Sequence, residues 1–78
     1  MCYLLLWQYY GNHYYLISYS ESDLKHYASF HLHCIYFKPI KCNGMKDAKR
    51  FIQCYAKDNR LEEPIRLEIQ QIVRFQRC

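Results

Sequence analysis

With 78 residues, 51% of them hydrophobic and 18% aromatic, the chain is too apolar to stay disordered. It is also too short to enclose a deep pocket, since a chain of this size buries only about 60% of its unfolded surface. The formal charge of +4 is uneven: residues 1–37 balance to −1 and residues 38–78 to +5, which points to an anionic partner or an acidic protein surface.

Five cysteines (Cys2, Cys34, Cys42, Cys54 and Cys78) raise the question of a disulfide framework. Their odd number, two of them at the chain ends, argues against one. The opening MCYLLLWQ has an apolar run but neither a basic n-region nor a small-residue cleavage site. It also falls well short of the roughly 18 apolar residues that a membrane span requires. The expectation is a cytoplasmic protein with reduced thiols and no membrane association, most of the thiols packing as small hydrophobes.

The first element in chain order is a hairpin. Gly11-Asn12 lies between two strand-like runs, and glycine at the first central position suits a type II′ turn. That loop sets Tyr10 against His13, Gln8 against Tyr15, Leu6 against Ile17 and Leu4 against Tyr19. The other face then carries Tyr3, Leu5, Trp7 and Tyr9 with Tyr14, Leu16 and Ser18. Both faces are apolar and aromatic; one covers the core, and part of the other is a contact surface.

Ser20 with Asp23 approximates a capping box, so a short helical turn over Leu24–Tyr27 or a plain loop follows. ASFHLHCIYF (28–37) alternates as a third strand should, with Phe30, Leu32, Cys34 and Tyr36 on one side and His31, His33, Ile35 and Phe37 on the other. Pro39 ends it. Asn43 is a suitable N-cap for a helix over 44–57. On a helical wheel Met45, Ala48, Phe51, Ile52, Tyr55 and Ala56 fall within an arc of about 140°, with Lys46, Lys49, Arg50, Gln53 and Lys57 beside it. Asp58-Asn59 is the expected stop. In the tail, Ile65, Leu67 and Ile69 alternate with Arg66, Glu68 and Gln70, which predicts a strand with an irregularity near Gln70-Gln71. A helix would leave Leu67 on its polar side.

The predicted fold is a single α+β domain over residues 1–78. Its small antiparallel sheet is ordered strand-strand-strand-helix-strand, with one long helix on one face in a two-layer sandwich.

Few motifs carry chemistry. In a strand His31 and His33 would share a face, where Cys42 or Cys54 could complete a zinc set. The spacing matches no zinc module, and two wet-face histidines explain it as well, so no metal or cofactor is assigned. Adjacent Cys34 and His33 would point to opposite faces of a strand, which removes that nucleophile–base pair. No nucleophile elbow, phosphate-cradling loop or HExxH helix is written into a chain with two glycines. A non-enzyme is expected.

The candidate partner-binding residues are Lys46, Lys49, Arg50 and Lys57 on the helix, with Tyr9, Tyr10, Tyr14 and Tyr15 on the hairpin. Cations three or four apart can meet phosphates or acidic side chains, although a solvated helix face has the same pattern. Tyrosine supplies rigid contact area with a polar tip, although some of these rings must be core.

Three functions follow. The first is a small non-enzymatic protein that binds a protein or a protein–nucleic acid complex, or a second copy of itself. A phage or mobile-element inhibitor of a host nucleic-acid-processing complex fits, anti-CRISPR proteins being comparable in size and layout only. The second is direct nucleic-acid binding through the basic helix and exposed aromatics. The third is a small ribonuclease using His13 and His26 as acid and base.

Overall fold

The computed structural model describes residues 1–33, 38–63 and 69–77. A hairpin comes first, β1 (Cys2–Tyr9) and β2 (Asn12–Ser18), followed by helix α1 (Glu21–His31), strand β3 (Ile40–Cys42) and helix α2 (Met45–Asp58). Three two-residue strands close the chain: β4 (Leu61–Glu62), β5 (Val73–Arg74) and β6 (Gln76–Arg77). The main sheet has the order β3-β1-β2-β5, with every neighbouring pair antiparallel, and β4 with β6 forms a second small sheet. This is the expected α+β class, with a long helix on one face of an antiparallel sheet.

The hairpin register differs from the expected one by two residues. Leu4 faces Ile17, Leu6 faces Tyr15 and Gln8 faces His13, so the turn residues are Tyr10-Gly11 rather than Gly11-Asn12. Both have positive φ (50° and 77°), which is the signature of a type I′ turn. That turn continues the right-handed strand twist at the cost of placing a tyrosine in the left-handed region. Because side chains alternate with period two, a two-residue shift leaves every side chain on its expected face.

Those faces build two separate cores. Cys2, Leu4, Tyr15 and Ile17 pack with Cys42, Ala48, Ile52, Ala56 and Phe75 on the α2 side. Leu5, Trp7 and Leu16 pack with Leu24 and Ala28 on the α1 side. The sheet thus carries a helix on each face, and α1 adds a third layer to the expected sandwich.

Ser20 caps α1 as its pairing with Asp23 suggests: the Asp23 amide donates to Ser20 Oγ at 3.3 Å. The helix then runs on to His31, which corrects the third strand expected at 28–37. Leu24, Tyr27, Ala28 and His31 form an i, i+3, i+4, i+7 stripe, and a strand begun at Ala28 cuts that stripe in half. Leu24 and Ala28 are buried by it, whereas Phe30 remains 64% exposed. Leu32 caps the helix and His33 has φ 51°; residues 34–37 lie outside the described residues. The third strand of the sheet lies beyond Pro39, at Ile40–Cys42.

The long helix begins one residue later than expected, with extended Gly44 at the N-cap and no side-chain cap there. Asp47 substitutes from inside the first turn, its Oδ2 accepting the Asn43 amide at 3.0 Å. Asn59 ends the helix as expected, its Nδ2 donating to the Tyr55 carbonyl at 2.9 Å.

In the described part of the tail, Val73–Arg74 and Gln76–Arg77 are short strands and Gln70 lies in a turn. Ile69 bridges Ile17 in parallel, and the Gln70 amide donates to the Ile17 carbonyl at 2.6 Å. Val73 then pairs antiparallel with Tyr15. The chain therefore reverses at the predicted irregularity, where Gln70 has φ 58°. Ile65 and Leu67, on which the predicted alternation rests, lie outside the described residues.

Candidate functional site

The helical cations lie where the wheel puts them. Lys46, Lys49, Arg50 and Lys57 are all exposed on the outer side of α2. Arg50 is partly neutralised: its Nη2 donates to Asp47 Oδ1 at 2.6 Å, and its guanidinium lies 5.8 Å over the Phe51 ring. Among the described residues, Lys46, Lys49 and Lys57 make no ion pair.

The four hairpin tyrosines separate. Tyr9 and Tyr10 are 58% and 84% exposed and meet edge to face at 4.4 Å. Tyr14 is half-buried and stacks on Trp7 at 5.7 Å. Tyr15 is a correction: it is wholly buried on the α2 side, edge-on to Phe75 at 5.6 Å, and is core rather than surface. Its strand is central, with Leu6 opposite on one flank and Val73 on the other.

The histidines disperse. His31 closes α1 and stacks on Tyr27 at 4.7 Å, so the shared-face strand geometry expected with His33 does not occur. Among the described residues no group of three or more His, Cys, Asp or Glu side chains is placed to hold a metal ion. His13 Nδ1 and the Tyr55 hydroxyl share a hydrogen bond at 2.6 Å under α2, and burial pushes the Tyr55 phenol pKa up. His26 leans on Phe30 at 4.3 Å on α1. The two imidazoles named as acid and base thus sit on helices' sides that the sheet separates.

A groove of about 730 Å³ opens on the α1 side, at the turn end of the hairpin. Trp7, Gln8 and Tyr9 line it from β1, Tyr14 from β2, and Tyr27, His31, Leu32 and His33 from α1 and its end, with Ile72 opposite. Trp7 is the floor, 6% exposed beneath Tyr14 and Tyr27, whose ring lies 5.6 Å from it. Burial pushes the Tyr27 phenol up, so that ring stays neutral. The described lining holds no carboxylate, lysine or arginine. Arg74 stands opposite Tyr14 in the register, which puts an exposed cation on this side of the sheet.

Sequence reasoning found Tyr9 and Tyr14 but missed Tyr27, His31 and Ile72 as their neighbours. For Tyr27 and His31 the signal was the stripe on α1, read at the wrong period; for Ile72 no local pattern gave one. The comparisons with known proteins are silent: no family model, curated protein or solved structure matches the chain.

Proposed function

We propose that the chain is a non-enzymatic binding protein that captures an apolar or aromatic side chain of a protein partner in the groove over Trp7. The supporting observation is the lining itself: neutral rings and aliphatic groups around a nearly covered tryptophan, with Tyr9, Tyr10 and Ile72 exposed at or near the rim. Such a surface gains by excluding water from apolar contacts, as the aromatic centres of protein interfaces do. Arg74 beside Tyr14 favours a partner whose anchor is flanked by a carboxylate. Within this class we favour an inhibitor that occupies a working surface of a nucleic-acid-processing complex, of the kind phage and mobile elements encode.

Direct nucleic-acid binding has less support. The α2 lysines and the aromatic groove lie on opposite sides of the sheet, so one strand cannot use both in register.

The test is selection of displayed peptides, followed by titration of the best binders against Trp7 fluorescence. The expected result is enrichment of sequences with one large apolar residue beside Asp or Glu. Tyr14→Ala and Arg74→Glu should each weaken binding about ten-fold or more. Oligonucleotides bound with steep salt dependence, abolished by Lys46→Ala/Lys49→Ala/Lys57→Ala, would turn the assignment to nucleic acid.

A further inference from the structure

Cys2 and Cys42 stand directly opposite each other in the antiparallel ladder of β1 and β3. Opposed residues in such a ladder have Cα atoms about 4.5 or 5.5 Å apart, depending on ladder position, and both spacings lie in the range a disulfide spans. Both side chains project to the α2 side, where they are 1% and 0% exposed. The Cys42 thiol donates to the Ile40 carbonyl at 3.6 Å, within its own strand. Cys54 lies exposed on α2, a free thiol among the described residues.

We propose that Cys2 and Cys42 are a redox pair, closing under oxidising conditions into a cross-strand disulfide that locks β3 onto β1. The co-reactant is a low-molecular-weight disulfide such as oxidised glutathione. One protein thiol loses its proton to solvent and, as thiolate, attacks a glutathione sulfur, releasing one glutathione thiolate and leaving a mixed disulfide. The second protein thiolate attacks the protein sulfur of that mixed disulfide and expels the other glutathione. Two protein thiols lose two electrons and two protons; one external disulfide gains both.

Access comes from the position of β3. It is three residues long and lies at the sheet edge, so local opening of its ladder bares Cys42 without unfolding the hairpin. Burial pushes the Cys42 thiol up to about 11, with neighbouring Cys2 adding to the shift, so closure is slow and waits on that opening. Once closed, the bond shortens the unfolded chain's reach between residues 2 and 42 and tethers the start of α2, three residues beyond Cys42, to β1.

The experiment keeps the two cysteines and replaces the others, as Cys34→Ser/Cys54→Ser/Cys78→Ser. After incubation with oxidised glutathione, the expected product has lost about 2 Da, resists alkylation and carries no glutathione. Its melting temperature rises by on the order of 10 °C, reversed by reductant. Should that variant fail to fold, the full chain is oxidised, alkylated and digested at lysine. A linked pair of peptides 1–25 and 42–46 is then expected, with glutathione on Cys54. Glutathione adducts on Cys2 or Cys42, or both thiols still alkylated while Cys54 is fully glutathionylated, overturn the proposal.

Discussion

The two faces of the sheet are made from the same hairpin, yet they are covered differently. On the α2 side a strongly amphipathic helix buries Ala48, Ile52 and Ala56 against Leu4, Tyr15 and Ile17, and Phe75 closes the seam between Tyr15 and Tyr55. On the α1 side a weaker helix buries only Leu24 and Ala28, and its last turn leaves Trp7 under two tyrosines at the floor of a groove. An amphipathic stripe wide enough to seal a face makes a core, whereas a narrow one leaves aromatic surface for another molecule. The difference is one of apolar width along the helix.

The sharpest way to break this comparison is to remove one methyl-rich anchor from each face. Ile52→Ala and Leu24→Ala should each cost about 3 kcal/mol, read as a lowered urea midpoint. If the α1 side is integral to the fold, circular dichroism and Trp7 fluorescence will report coincident transitions in both variants. A Leu24→Ala variant with unchanged midpoint would mean that α1 is only loosely attached.

Removing the cap tests α1 alone. Ser20→Ala deletes the acceptor for the Asp23 amide and should cost about 1 kcal/mol, with Ser20→Asp restoring it. The corresponding change on α2, where the cap is glycine, has no side chain to delete.

Alkaline titration probes both cores. The Cys42 thiol is raised from 9.0 to about 11, mainly by burial, so the unfolded chain ionises there first. Stability is therefore fully present below about pH 9 and declines as pH rises toward 11. Tyr55 on the α2 side and Tyr27 on the α1 side are raised as well and add to the decline at higher pH. Cys42→Ala should flatten the earlier part of the curve in denaturation at fixed pH, whatever it costs in absolute stability.

The smallest expected effect is a gain. Tyr10 has φ 50° in the type I′ turn, so Tyr10→Gly should raise stability by about 0.5 kcal/mol, measured by thermal melting. The same change removes the most exposed ring among the described residues, so weakened peptide binding alongside the higher stability would place Tyr10 at the contact surface.

Much of the architecture was legible because local patterns report it directly. Period-two alternation assigned the hairpin faces correctly even though the turn was displaced, since a shift of two preserves parity. The wheel of α2, its stop at Asn59 and an irregularity near Gln70 were likewise visible in the chain, although not that the chain reverses there. Four further things were not. Residues 28–31 carry both an alternating and a helical pattern, and only the upstream contacts of Leu24 with the sheet select the helix. Tyr15 and Tyr14 were equal candidates for the surface until α2 and Phe75 covered the face that holds Tyr15. The groove joins β1, β2, the end of α1 and Ile72, and the opposition of Cys2 to Cys42 joins β1 to β3.

The amino-acid order therefore determined which side chains share a face of the hairpin and where the long helix runs, because those follow from backbone geometry over a few residues. Only the tertiary structure decided which face each helix covers, which rings stay outside and which thiols meet. Those depend on contacts between segments far apart in the chain, which no local period encodes.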